Sequence, residues 1–181
     1  MKKKYITWSI LILMAGWIGL IFYFSSQGPA ASHGQSGWAV EIFNRLNAKL
    51  DITDTELFKK ASYFVREVLF KGRYETPNAI MRKSAHFGIY LVLGMITCLF
   101  SYMYGRRYLL AGMLGVSFPV LIAVLDEYNQ KFTGRTSSLE DVLLDGSGAL
   151  LGTCLVLVCI LICMGIMKMK ARYISKKRKH K

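Results

Sequence analysis

Four apolar segments, each long enough to cross a lipid bilayer, constrain this chain more than any other feature of its sequence. We place them at about residues 5–24, 85–104, 108–125 and 142–167. Crossing the hydrocarbon core takes roughly 20 residues of helix, and lipid offers no partner for open backbone groups. The pattern therefore predicts an all-α fold, with a four-helix transmembrane bundle as its core.

The stretch between the first two segments, residues 28–82, is predicted to form an extracytoplasmic cap. Residues 28–37 are rich in Gly and Ser and are typical of a loop, whereas residues 38–50 have the pattern of a short amphipathic helix. Thr53 with Glu56 three residues later matches a capping box, which predicts a second amphipathic helix. Because the linkers are short, we expect these helices to lie in the lipid interface over the bundle; docking to a partner protein is the alternative.

The formal net charge of +13 is distributed unevenly along the chain. Basic residues without acids stand before the first segment, at Arg106 and Arg107, and in the tail at residues 168–181. The positive-inside rule then predicts a multi-pass protein of the cell membrane with both termini in the cytoplasm. The tail adjoins a membrane helix, so attraction to anionic lipid is favoured over nucleic-acid binding. Residues 1–181 are interpreted as one membrane domain.

Polar and charged side chains gather at the ends of three segments that this topology brings to the extracytoplasmic face. Ionisable groups are costly there, and a cluster of them favours a functional site. Within each segment, helical spacing places several of them on a shared face. The ten residues are Arg82, Lys83, His86, Tyr90, Asp126, Glu127, Gln130, Arg135, Asp141 and Asp145.

The fourth segment combines this polar face with a packing signal. Asp141 and Asp145 are followed on the same helical face by Gly148 and Gly152, which form a GxxxG pair. Such a pair lets another helix approach closely, so we expect Asp145 to point into the bundle. At the end of the first segment, Ser25, Ser26 and Gln27 are candidate donors for the same mouth.

Three stretches of the chain resemble the VanZ-like family of bacterial integral membrane proteins. They are the FSSQ sequence of residues 24–27, the RKSAHF sequence of residues 82–87 followed by Tyr90, Leu93 and Gly94, and a third set comprising Asp126, Glu127, Gln130, Phe132, Arg135, Asp141, Val142, Gly148 and Gly152. The family takes its name from a gene associated with low-level resistance to the glycopeptide teicoplanin. The resemblance implies a role in the bacterial cell envelope, and it supplies no reaction.

Three functions remain open at this point, and a binding module is preferred. Arg82, Lys83 and Arg135 would contact the phosphate or carboxylate of a membrane lipid or lipid-linked cell-wall intermediate, with Tyr90 and Gln130 beside them. Asp126, Glu127, Asp141 and Asp145 would orient these cations or bind hydroxyl groups.

The second function is an intramembrane enzyme acting on a lipid-linked phosphate or ester. His86 would be its base or nucleophile, oriented by Asp126 or Glu127. A metal held by His86 and carboxylates is conceivable, but no ligand spacing is diagnostic, so no metal or cofactor is predicted. The third function is a salt-bridged scaffold for a partner membrane protein. The sequence leaves the oligomeric state open.

Overall fold

In the computed structural model, residues 2–63, 67, 76–134 and 137–179 are described. These residues are almost entirely helical, and none of them forms a strand. The helices are α1 (Lys2–Ser25), α2 (Pro29–Leu50), a 3₁₀ helix (Ile52–Asp54), α3 (Glu56–Tyr63), α4 (Pro77–Gly105), α5 (Tyr108–Phe132) and α6 (Leu139–Lys179). Four of them, α1, α4, α5 and α6, are long and apolar enough to cross a membrane. The predicted all-α architecture with four spanning helices is confirmed.

Helix α4 is the central element, since it packs against α6, α5, α1 and α2. Its Tyr90 and Leu93 lie in a buried cluster with apolar residues of the other three spanning helices. Helix α1 contacts α4 through Trp17, whose indole N–H donates to the backbone oxygen of Ile89 at 3.0 Å. Outward-facing leucines such as Leu109 remain exposed, as expected of side chains that face lipid.

The contact between α4 and α6 depends on two glycines of α6. A Cβ atom added at Gly148 would collide with the backbone oxygen of Phe87, and one at Gly152 would collide with that of Leu91. The two backbones therefore touch where a side chain would hold them apart. The structure confirms the predicted GxxxG packing and identifies α4 as the helix that approaches.

The spanning helices extend beyond the apolar segments at this end. Helix α4 begins at Pro77 instead of residue 85, because Thr76 caps it by accepting from the backbone N–H of Ala79 at 3.3 Å. Proline suits the first helical position, where its missing N–H is not needed. Helix α5 continues to Phe132, and α6 begins at Leu139. The polar residues near residues 82, 126 and 141 therefore sit on regular helix.

The predicted loop over residues 28–37 is wrong, because α2 already begins at Pro29. Proline at its start and the alanines that follow favour helix, and packing of α2 against α4 offsets the cost of Gly34 and Gly37. Large apolar side chains of α2 that are exposed include Trp38, Ile42, Leu46 and Leu50.

The capping box predicted at Thr53 is also wrong. Thr53 lies in the 3₁₀ helix and is bound to Asn47, whose side-chain oxygen accepts from the Thr53 N–H at 2.8 Å and whose amide donates to its hydroxyl at 3.0 Å. Helix α3 then begins at Glu56. Its predicted continuation beyond Tyr63 falls largely outside the described residues.

Candidate functional site

The C-terminal ends of α1 and α5 and the N-terminal ends of α4 and α6 meet at one end of the bundle. The hydroxyl of Ser25 on α1 donates to the backbone oxygen of Asp126 on α5 at 3.3 Å, and Lys83 on α4 forms an ion pair with Asp141 on α6. We call this region the polar end. Its described residues are Ser25, Arg82, Lys83, His86, Tyr90, Asp126, Glu127, Gln130, Asp141 and Asp145.

A histidine and two carboxylates from three different helices lie together at the centre of the polar end. His86 Nδ1 is 3.6 Å from Asp145 Oδ2, and one ligand atom from each of His86, Asp126 and Asp145 falls within 4.8 Å of the others. We call these three residues the His–Asp cluster. Tyr90 adjoins it, because its hydroxyl donates to Asp126 Oδ2 at 3.2 Å.

The carboxylates of the His–Asp cluster are deeply buried and incompletely satisfied. Asp145 is 0% exposed and Asp126 is 1% exposed. Asp126 Oδ1 and both oxygens of Asp145 have no hydrogen-bond partner, and among the described residues no lysine or arginine pairs with either side chain. Burying such groups costs free energy. This arrangement is a poor way to stabilise a fold, which favours a site for a ligand.

Two other acids of the polar end have partners that tie the helices together. Asp141 on α6 forms an ion pair with Lys83 on α4, and each of the two side chains is 11% exposed. Glu127 Oε2 accepts from the backbone N–H of Ser138 at 3.1 Å, and the Ser138 hydroxyl accepts from the backbone N–H of Asp141 at 3.2 Å. These contacts secure the connection between α5 and α6.

A cavity of about 330 Å³ opens beside the cluster, between α1, α2 and α4. Its polar lining includes His86, Tyr90 and Asp126, together with Arg82. Because the exposed side chain of Trp38 also lines it, the cavity reaches the molecular surface. Most of its remaining wall is apolar, formed by Ile21, Phe24, Trp38, Ala39, Met81, Ala85 and Ile89, with Ser25 and Ser32 as further polar members.

The predicted site residues therefore divide into three groups. Arg82, His86, Tyr90 and Asp126 line the cavity, and Asp145 lies directly behind it against His86. Lys83, Glu127, Gln130 and Asp141 are buried at the same end but are not among the residues that line the cavity. Arg135 lies outside the described residues. Their roles toward a ligand stay predictions.

One detail of the site differs from the hypotheses drawn from the sequence. The carboxylate nearest the His86 Nδ1 atom belongs to Asp145, whereas the sequence hypothesis assigned Asp126 or Glu127 to orient this ring. Lys83 is paired with Asp141, in keeping with the expectation that the acids of this end orient its cations, and contact of Lys83 with a ligand stays a prediction. Both contacts arise because α6 approaches α4 closely enough to bring its acids against the α4 face.

Sequence reasoning missed several polar groups of this end. The Asn129 amide donates to the Ser25 hydroxyl at 3.1 Å, which places Asn129 behind the predicted serine. Ser32 and Trp38 reach the cavity because α2 is longer than expected. Asn129 directly precedes Gln130 on α5. Its sequence context is the same as that of an exposed polar residue near a helix end, so the sequence alone does not identify it as part of the site.

Comparison with known proteins identifies the family. The family described as VanZ/LLP1 matches residues 10–163, which is well over half of the chain and includes the whole polar end. The chain therefore belongs to this family, and the predicted resemblance is confirmed. No curated protein and no solved structure gives a significant match.

Proposed function

We propose that this VanZ/LLP1 protein binds the polar headgroup of a membrane lipid, or of a lipid-linked cell-envelope intermediate, in the cavity at its polar end. The observation that carries the proposal is the cavity itself. It combines a polar side, with Arg82, His86, Tyr90 and Asp126, and a largely apolar wall from α1, α2 and α4. An amphiphile presents the same two chemistries to its surroundings.

The charges of the polar end define which headgroups fit. Arg82 offers a guanidinium at the cavity, which is suited to a phosphate or carboxylate, while Tyr90 and Asp126 can bind hydroxyl groups. Among the described residues of this end, the four buried acids outnumber the two cations that are not exposed, Arg82 and Lys83. We therefore expect a headgroup that pairs an anionic group with hydroxyl or cationic groups.

The biological setting of this binding is the outer leaflet of a bacterial cell membrane. The basic residues of the chain are concentrated at the opposite end, so the positive-inside rule would orient the polar end away from the cytoplasm. Holding, shielding or moving a cell-wall intermediate there would account for low-level resistance to a glycopeptide such as teicoplanin. The support for this role is the family membership together with the position of the cavity.

Lipid identification on gently purified protein tests the proposal. Mass spectrometry of the wild type is expected to find one lipid class enriched above the surrounding membrane, and Arg82→Ala is expected to lose that enrichment about tenfold or more, since a charge-assisted contact contributes about 1.5–3 kcal/mol. Arg45→Ala is the matched control, because the Arg45 side chain is 76% exposed on α2. Equal lipid content in the wild type and Arg82→Ala would refute the proposal.

A second candidate function is catalysis on the same bound lipid. It is favoured by His86, which lines the cavity and has a buried carboxylate 3.6 Å from its Nδ1 atom, an arrangement that can orient a general base. Under catalysis, His86→Ala would abolish turnover of a lipid-linked phosphate or ester while bound lipid remained. Under binding alone, no product would accumulate with the wild type.

A further inference from the structure

We propose that His86, Asp126 and Asp145 bind one divalent first-row transition-metal ion, of which Zn²⁺ and Mn²⁺ are the best suited. The three residues come from α4, α5 and α6, so the ion would bridge the three helices that pack most closely. The inference goes beyond the proposed function, because the ion would bind whether or not a lipid occupies the cavity.

The spacing of the side chains suits a single ion. One ligand atom from each residue lies within 4.8 Å of the other two, and His86 Nδ1 is 3.6 Å from Asp145 Oδ2. Two ligands of a tetrahedral zinc ion lie about 3.4 Å apart, given metal–ligand distances of about 2.0–2.1 Å. Binding would therefore take only small movements of these side chains.

The unsatisfied carboxylates are a second and independent observation that points to a cation. Both oxygens of Asp145 and Oδ1 of Asp126 are buried without a hydrogen-bond partner. Among the described residues, no lysine or arginine pairs with Asp126 or Asp145. A dication between two carboxylates would balance both charges and occupy the oxygens that the fold leaves open.

The donor set indicates the class of metal. Imidazole suits zinc, iron, nickel and copper, and carboxylates also suit Mn²⁺, whereas sites for Mg²⁺ and Ca²⁺ are built from oxygen ligands alone. Tyr90 has the position of an outer-shell partner, since its hydroxyl donates to Asp126 Oδ2 at 3.2 Å. Three protein ligands leave at least one coordination position, and His86 and Asp126 both line the cavity. That position could accept an oxygen of the headgroup.

Metal binding is measured on detergent-purified protein stripped with a chelator and then dialysed against Zn²⁺, Mn²⁺ or Mg²⁺. We expect about one Zn²⁺ or Mn²⁺ per chain by elemental analysis, and a visible spectrum of low-coordinate Co²⁺ when Co²⁺ is the probe.

Asp145→Asn and His86→Ala should lose the ion. Tyr90→Phe should weaken binding about tenfold, as outer-shell changes do. Glu41→Gln is the control, because it removes an exposed acid on α2 whose partner is Arg45.

The outcomes separate this inference from the lipid proposal. Stoichiometric binding by the wild type and Glu41→Gln, lost in Asp145→Asn, supports the site whatever lipid is found. No binding by the wild type, equal binding by Asp145→Asn, or a preference for Mg²⁺ over Zn²⁺ would overturn it. Monodisperse elution of each variant in size-exclusion chromatography identifies any loss that comes from misfolding, and Asp145→Asn should pass because it removes a buried charge.

Discussion

The two ends of the helix bundle differ in how deeply their charged side chains are buried. At the polar end, the acids Asp126 and Asp145 are buried, and no lysine or arginine among the described residues pairs with either. At the other end, which we call the basic end, Arg106 is exposed and its guanidinium lies 5.6 Å from the ring centre of Tyr102. Tyr102 in turn stacks on Tyr108, with ring centres 5.2 Å apart.

This contrast indicates that the chemistry of the lining side chains, more than the size of a cavity, distinguishes the candidate site. A groove of about 470 Å³ lies between α1 and α4 at the basic end, larger than the cavity of about 330 Å³ at the polar end. Among the residues described as lining this groove, the exposed Arg106 alone is charged. Exposed cations and aromatic rings near a membrane surface cost little free energy and help to orient the protein in the bilayer. Buried acids without a lysine or arginine partner cost much more free energy, and within a membrane such residues favour a functional role.

The largest expected effect comes from separating α4 and α6 below the polar end. Gly152→Leu would drive a side chain into the backbone of Leu91, so we expect loss of the folded protein. Gly165→Leu, on the same helix toward the basic end, is the control because a Cβ atom added there meets nothing within 4 Å. Yield and thermal unfolding in detergent give the comparison, and equal stability of the two variants would contradict the α4–α6 packing.

Breaking the buried ion pair of the polar end should have the next largest effect. Lys83→Met leaves the Asp141 carboxylate buried without its cation, which costs about 3–5 kcal/mol. Replacing both residues, in Lys83→Met with Asp141→Leu, should recover most of that loss. Arg45→Met breaks a pair whose side chains are 76% and 60% exposed and should change the melting temperature little. If Lys83→Met and Arg45→Met melt alike, the contrast between buried and exposed charge does not hold.

The smallest expected effect has the opposite sign. In chelator-treated protein, Asp145→Asn removes the charge of a buried carboxylate whose oxygens have no hydrogen-bond partner, so the free energy of unfolding should rise by about 1 kcal/mol, since the amide itself still lacks partners. Arg106→Gln at the basic end should leave it nearly unchanged, because that side chain is exposed. Thermal unfolding of both variants in detergent measures this difference in the free energy of unfolding. A lower melting temperature for Asp145→Asn would show that the carboxylate stabilises the fold.

Much of the fold could be predicted because the patterns that indicate its helices each extend over a long segment of the sequence. The four spanning helices follow from apolar runs of the length of a bilayer. The meeting of His86, Tyr90, Asp126 and Asp145 follows from helical spacing combined with the order of the spans. These are periodic patterns in which several residues give the same indication, so an error at one position changes little.

The rest depended on contacts that spacing does not specify. The sequence placed Asp145 on the inner face of α6 but could not choose which carboxylate faces His86, because that depends on how closely Gly148 lets α6 approach α4. Nor could it show that Lys83 is held by Asp141. The helical start of α2 was missed because glycine and serine favour loops locally, whereas packing against α4 favours helix.

The most direct test of the account is whether the polar end is open to water on the outer side of the membrane. Ala85, which lines the cavity and is exposed, would be replaced by cysteine in a chain whose four native cysteines are changed to alanine. Arg107→Cys at the basic end is the control. We predict that a membrane-impermeant maleimide labels Ala85→Cys in intact cells and Arg107→Cys only after permeabilisation. The reverse pattern, or no labelling of Ala85→Cys under either condition, would contradict the account.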